Sequence, residues 1–500
     1  MKKRKVGFLF NIITICLAVV AIAVGVYSLQ KSSLNISGSL GFTAHNVNAR
    51  IDAYMYGYAT EAGGIPLTES EKVRLTTANG LLIHNSATSY SLNLGATNGS
   101  GSAIRYFSNL GASGEMEDIV VEITVSNTSG GTSTPKNILA NVDFANCIPS
   151  SALTGKIRID CDRSGAVLET TNGKTQATFT FRISLLPNSD GTYTNSALTS
   201  SSNNVSLKMN LEETNYTQSQ VRTDAIAIKK FTTAEISSIN STLSITTNDS
   251  YADLYPYYVE MGHVGNDYVK WLVVGTKGAS DTDAVTALVD ADKTALSQGL
   301  LLNKTYVMLS EKVLYNSVPF QTKFTNSQST TPVFKNTNSD YSAYDYATST
   351  IRSYLNGDTI TYNKTIYSFF ETYNVDTDPL YVKIKGRSLS SLYNNIGEIE
   401  SGAKIWSSAD SVTDDNLKST TKDKLWLLSK SEIETLLSVA NNRKTSKILG
   451  TADSNYTEWF TRSPYKYFDN HMDVHYVFDT LLVSTDVDYS SAGSRPAFLF

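Results

Sequence analysis

The feature that most constrains this chain is a hydrophobic period of two. The stretch "DIVVEITVSN" sets Ile119, Val121, Ile123 and Val125 on one side of an extended backbone. "ATFTFRISL" does the same with Phe179, Phe181, Ile183 and Leu185, and "VSLKMNL" with Val205, Leu207, Met209 and Leu211. A helix scatters such residues around its circumference, whereas a strand gathers them, because successive side chains point to opposite faces. Between the runs lie Gly, Ser, Thr and Asn clusters such as "SNTSGGTSTPKN", which favour turns. Strands with one wet face must pair their dry faces, so residues 31–213 predict an all-β sandwich.

A different signal precedes it. "MKKRK" is followed by an apolar run from Val6 to Leu29, about the length that crosses a bilayer as a helix. The basic block belongs on the cytoplasmic side, which sends the rest outward. Residues 1–30 are therefore read as a signal-anchor, a transmembrane helix at the N-terminus, with the membrane as its partner. A cleaved leader is the other reading, because Val26, Tyr27 and Ser28 form a tolerable processing site. The expected location is the extracellular face of the cell membrane, or outside the cell if the leader is removed.

With 500 residues, the chain exceeds one ordinary core and predicts an anchor plus two folded domains. Only 18% of residues are charged and Tyr (29) outnumbers Phe (18), a balance that suits an exported β-rich protein. A net charge of −5, with no long basic run after the first residues, argues against nucleic acid as a partner. Cys147 and Cys161, in "CIPSSALTGKIRIDC", can close a short disulfide loop in an oxidising compartment or remain thiols. His45 and His84 stand alone, without the spacing of a metal site.

Residues 214–250 are polar apart from Ile226 and Ile228, and read as a linker. After Tyr251 the pattern becomes α+β, over 251–500. "DYVKWLVVG" is a buried strand around Trp271, and "TYVMLSEKVLYNSVPF" reads as a strand passing into a helix capped near Ser310. "STIRSYLNGD" carries a cap at Ser349 or Thr350, an apolar face of Ile351, Tyr354 and Leu355, and a stop at Gly357. In "LWLLSKSEIETLL", Ser429 and Glu432 have capping-box spacing, with Ile433, Leu436 and Leu437 inward.

Two arginines stand out near the end. Trp459, Arg462 and Pro464 lie in "WFTRSP", and Arg495 and Pro496 in "GSRPAFLF". A planar guanidinium stacks on aromatics and bonds carbonyls or carboxylates in a fork, so both serve either as rivets of the fold or as ligand contacts. Arg352 and Asn356 of the "IRSYLNG" segment belong with the rivets, as do Trp271, Gly357, Pro464 and Pro496. Trp459, Arg462 and Arg495 are also the ligand-contact candidates. They are joined by Tyr341, Tyr344 and Tyr346 in the loop "KFTNSQSTTPVFKNTNSDYSAYDYATS", whose Tyr, Ser and Asn are economical contact residues. In "HMDVH", His471, Asp473 and His475 alternate and would share one strand face, a set of three possible ligands for a divalent cation.

The order of these blocks also carries a resemblance. A "W-x-V" strand, an "M-L-S" strand, "S-x-I-R-x-Y-L-N-G", "L-L-S-x-x-E", "W-F-x-R-S-P" and a terminal "G-x-R-P-A" resemble a domain of unknown function widespread in extracellular proteins of Firmicutes, whose motifs run WWLRSP and GVRPAL. The likeness spans nearly all of residues 255–500. It implies a C-type-lectin-like or formylglycine-generating-enzyme-like design. Phe460, Thr461 and Ser494 depart from those motifs, and the absence of cysteine from this part of the sequence disfavours the oxygenase chemistry of the latter group. The opening "LNISGSLGFTAHNVNARI", with the later "VEITVSNTS", resembles TasA/camelysin-like exported proteins of Gram-positive bacteria, and implies an immunoglobulin-like or TasA-like sandwich. No cofactor and no enzyme activity are expected, since no nucleophile with a base, paired carboxylates or metal cluster stands out. The expectation is a bacterial cell-surface binding or adhesion module on a β-sandwich stalk, with a glycan or protein ligand. The alternative is a biofilm-matrix or surface-fibre subunit that forms homo-oligomers.

Overall fold

The computed structural model of the chain describes residues 36–44, 47–56, 73–74, 82–86, 89–92, 109–110, 115–116, 119–131, 135–147, 154–170, 175–186, 203–265, 267–279, 284–314, 318, 349–362, 365–385, 423–446, 458–466, 472–486 and 492–500. The chain divides into two compact units, Met1–Gln218 and Ser219–Phe500. The apolar run Val6 to Leu29 lies outside the described residues. Among those that are described, no helix is long and apolar enough to cross a membrane.

In the first unit the period-two runs are strands, as their alternation dictates. Ile119–Asn127 lies between Gln176–Leu185 and Ala49–Tyr56, antiparallel to both, and the register sets Val121 opposite Phe181 and Met55, and Ile123 opposite Phe179 and Ala53. Ile157–Cys161 and Val73–Arg74 complete a five-stranded sheet. A second sheet has six strands in the order Gly165–Leu168, Asn137–Val142, Asn203–Thr214, Ile36–Ala44, Ser89–Leu92 and Leu82–Ser86. Ile36–Ala44 runs parallel to Asn203–Thr214 and antiparallel to Ser89–Leu92. Val121, Ile123, Phe179 and Phe181 of one sheet share a single apolar cluster with Ile138, Ala140, Leu207 and Met209 of the other, so the unit is a β-sandwich. Apart from Ala140, each of these large side chains stabilises the fold by about 1.5–3 kcal/mol through burial. One detail differs from the half-wet expectation: Val120 and Glu122, on the other face of the central strand, are buried too.

The Cys147–Cys161 bridge is not formed; both are buried free thiols. Cys147 follows the 3-10 turn Phe144–Asn146, and its sulfur accepts from the Lys208 N–H at 3.2 Å, which ties it to the six-stranded sheet. Cys161 ends a strand of the five-stranded sheet and bonds the Asp162 carboxylate at 3.6 Å. Burial pushes the Cys147 thiol up to about 11 and raises Cys161 well above the usual thiol value.

The segment read as a linker, 214–250, also needs correction. The strand Asn203–Thr214 ends the first unit's sheet, and from Ser219 onward the chain belongs to the second unit's fold. Ile226, Ile228, Phe231, Leu243 and Ile245 enter its core, and Lys229–Lys230 pair with Tyr257 and Tyr258. The helix Thr233–Thr242 starts on a capping box between Thr232 and Glu235. Its apolar residues are too widely and irregularly spaced to show a period, so the polar majority masked them.

The second unit is built on a sheet with the order Lys229–Lys230, Tyr257–Val264, Asp267–Lys277, Thr305–Ser310, Pro496–Leu499 and Trp426–Leu427, with Val285–Ala287 paired to Asp267–Lys277. The chain's last strand thus lies between two others. Trp271 is fully buried, donates from Nε1 to the Met261 carbonyl at 2.9 Å, and meets Phe498 edge-on. The helices Thr350–Leu355 and Lys430–Leu436 form as their caps predict, and Ile351, Tyr354, Leu355, Ile433, Leu436 and Leu437 are all buried. The helix expected after Ser310 is absent from Glu311–Leu314. There Val313 and Leu314 instead donate backbone N–H groups to the Ser446 and Ser494 carbonyls, satisfying the chain without a helical turn. A separate antiparallel sheet comprises Trp459–Lys466, Met472–Phe478 and Leu481–Asp486.

Candidate functional site

The motif arginines divide into two buried clusters. Arg462 rises from the strand Trp459–Lys466 into the start of the helix Lys430–Leu436. Its Nη1 and Nη2 form a fork onto the two Glu432 carboxylate oxygens, and Nη1 also donates to the Leu427 carbonyl at 3.1 Å. Glu432 is the capping-box residue, accepting at the same time from the Ser429 N–H at 3.0 Å. The Ser463 hydroxyl accepts from the Lys430 N–H at 2.9 Å. So "LLSKSE" and "WFTRSP", two separate sequence blocks, are two halves of one joint.

Arg495 immediately precedes the terminal strand. Its Nε donates to the Ser310 carbonyl at 2.9 Å, and its guanidinium carbon stands 5.2 Å from the Trp459 ring centre and 5.8 Å from that of Tyr251. The Tyr251 hydroxyl donates to Glu311 at 2.8 Å, and Trp459 Nε1 donates to the Arg443 carbonyl at 3.4 Å. Burial holds Arg495 below the ordinary arginine range, at about 10, and the same burial, with Glu311 beside it, pushes the Tyr251 hydroxyl well up. Trp459 and Arg495 therefore come together, while Arg462, three residues from Trp459, is directed elsewhere.

A third joint involves Arg352, whose Nε and Nη2 both reach Asp423 at 2.7 Å. Asn356 extends it, donating to the Arg352 and Leu425 carbonyls and accepting from the Lys424 N–H. Gly357 follows at φ +102°, where a Cβ would lie 2.6 Å from the Phe370 ring, so both backbone and space demand glycine. Pro496 is buried at the head of the terminal strand, and Pro464 pairs in register with Val474.

Trp459 and Arg495 are wholly buried and Arg462 is 7% exposed, so as ligand contacts these three are out of reach of a macromolecule. Tyr341, Tyr344, Tyr346 and His471 lie outside the described residues. Asp473 and His475 occupy the strand Met472–Phe478, in register with Asp486 and Ser484.

The sequence reading missed a surface feature on the same sheet. Phe478 and Leu481 face one another across the turn Asp479–Thr480, and are 39% and 59% exposed. The turn is clamped from behind: Arg443 donates to the Thr480 carbonyl at 3.2 Å, and Lys444 pairs with the Asp479 carboxylate at 3.2 Å. Asp479 itself adopts φ +55°. The signal available was "VFDTLLV", two strand-like runs parted by two residues, a hairpin pattern with apolar residues at its tip.

Residues 300–500 match a protein family described as a domain of unknown function, DUF6273. The match takes in all three motif arginines and the hairpin, but not Tyr251 of the Arg495 cluster. The strands Tyr257–Val264 and Asp267–Lys277, which share the same core, fall before it. No curated protein matches the chain, and no solved structure matches it either.

Proposed function

We propose that this is a bacterial cell-surface protein whose C-terminal unit binds a glycan or protein ligand, without catalysis, while the N-terminal apolar run holds it at the membrane. The observation that carries this reading is the clamped hairpin tip. An aromatic and a leucine, exposed side by side on a turn held by Arg443 and Lys444, are a preorganised apolar anchor, and rigid anchors of this kind supply most of the energy in recognition surfaces. The motif arginines, by contrast, are engaged inside the fold, which leaves recognition to such surface elements. Binding residues lie disproportionately on loops held by a rigid scaffold, which accords with this division.

The test is a screen of the full chain against a glycan array and a panel of surface proteins, followed by the double variant Phe478→Ser/Leu481→Ser. A ligand should emerge whose affinity falls at least about tenfold in the variant, at an unchanged melting temperature. Unaltered affinity would remove the hairpin from the reading, and exclusive recovery of the protein from the cytosol would remove its surface role.

A second reading, a matrix or fibre subunit, is favoured by the sandwich's open edges. Among the described residues, the outer strands Leu82–Ser86, Gly165–Leu168, Ile157–Cys161 and Val73–Arg74 each pair on one side only. Open edges template pairing with another chain. Negative-stain images that show fibres as the concentration rises would favour this reading over the adhesin.

A further inference from the structure

Arg495 does not find protein partners for all its donors. Its Nε is satisfied by Ser310, but Nη1 and Nη2 have no hydrogen-bond acceptor in the described structure, and neither does the Ser310 hydroxyl have a partner. Trp459 and Tyr251, at 5.2 and 5.8 Å, answer the positive charge with their ring faces but offer no in-plane acceptor for the N–H groups. Buried donors of this kind are as a rule bonded to protein or to ordered solvent.

The acceptor needed is close at hand without being in contact. Arg495 holds the carbonyl of Ser310, the residue immediately before Glu311, and Tyr251 spans the two charges, its ring near the guanidinium and its hydroxyl bonded to the Glu311 carboxylate. Glu311 is only 6% exposed. One cation and one anion share this interior, so a neutral occupant leaves it balanced, whereas a halide would add an uncompensated negative charge. Water suits this pairing chemically, because it accepts from a guanidinium while donating to a carboxylate, and Arg495, Glu311 and the Ser310 hydroxyl supply the polar partners that a buried water needs.

We propose that Arg495 and Glu311 are joined by an internal hydration site, in which a buried water accepts from the Nη groups, donates to the Glu311 carboxylate and meets the Ser310 hydroxyl as a third partner. The terminal strand is thereby fastened to Thr305–Ser310 by a solvent-bridged ion pair, in contrast to the direct fork at Arg462.

A high-resolution crystal structure of the full chain tests this, with a bromide soak as a second arm. The expected result is a solvent peak within hydrogen-bond distance of Arg495 Nη and Glu311 that bromide does not replace. Direct bonding of both Nη groups to protein oxygens, or an anomalous bromide signal in that position, overturns the proposal. In solution, oxygen-17 relaxation dispersion should count at least one fewer long-lived internal water in Arg495→Met than in the wild type, and equal counts from two folded proteins also overturn it. If that variant does not fold, the wild-type density decides alone.

Discussion

The two units solve the same problem, joining elements distant in sequence, by different means. The sandwich uses long strands whose alternation prepares a dry face, and its core of Val121, Ile123, Phe179, Phe181, Leu207 and Met209 is apolar throughout. Its polar fastening sits at a strand end, where Asn127 donates to the Lys136 and Leu168 carbonyls and accepts from Ser129. In the second unit the elements that the arginines join are short, the helices Thr350–Leu355 and Lys430–Leu436 and the strands Trp426–Leu427 and Pro496–Leu499, and each buries too little apolar surface to specify its neighbours alone. There the joints centre on buried arginines: Arg462 forks onto Glu432, Arg352 onto Asp423, and Arg495 bonds the Ser310 carbonyl beside the Trp459 and Tyr251 rings. A buried ion pair adds little net stability over an apolar substitute, but removing one partner is costly, so such joints specify an arrangement more than they stabilise it.

The comparison breaks most sharply at Arg462. Arg462→Ala takes the counter-charge from the buried Glu432 carboxylate, and should destabilise the second unit by about 3–5 kcal/mol. All four tryptophans, Trp271, Trp406, Trp426 and Trp459, belong to that unit, so denaturant titration followed by tryptophan fluorescence reads it alone. The double variant Arg462→Met/Glu432→Leu should recover much of the loss; if the single change is silent, the ionic joint is not what holds these elements. In the sandwich the corresponding break is Phe179→Ala, with an expected loss of about 3–5 kcal/mol from a large core side chain, visible by calorimetry with the tryptophan transition unmoved.

Alkaline pH sharpens the contrast gradually. In the sandwich, the folded state keeps the Cys147 and Cys161 thiols protonated while unfolded thiols ionise from about pH 8.5, so stability falls from there upward. In the second unit, burial raises Tyr251, Tyr306 and Tyr373, and stability should hold until about pH 10 before falling by about 1.4 kcal/mol per pH unit for each tyrosine. Arg495 works in the opposite direction above about 10, because the unfolded chain keeps that proton longer, and offsets one tyrosine. Denaturation curves from pH 7 to 11 should show the sandwich weakening first, and Cys147→Ala/Cys161→Ala should flatten its early slope. The smallest effect is Ser349→Ala, which removes the cap accepting from the Arg352 N–H and should cost about 1 kcal/mol.

Legibility followed the range of the interaction. The caps at Ser349 and Ser429 were readable because both partners lie within three residues, and Gly357 because a helix stop is a local event. The segment after Ser219 was misread because Ile226, Phe231 and Ile245 acquire their role only against a sheet formed much later in the chain. The cysteines were ambiguous for a related reason: a spacing of fourteen residues permits a bridge, but the strand that carries Cys161 and the Lys208 contact that holds Cys147 decide whether the sulfurs meet.

By itself, then, the amino-acid order determined where strands and caps form, because side-chain alternation and cap hydrogen bonds are settled within a few residues. Only the tertiary structure decided that Arg462 answers Glu432, that Arg495 reaches back to Ser310, and that Phe478 and Leu481 stand exposed on a clamped turn. Those outcomes depend on which distant groups share a dehydrated interior, and a charge carries no mark along the chain of the partner it will be buried with.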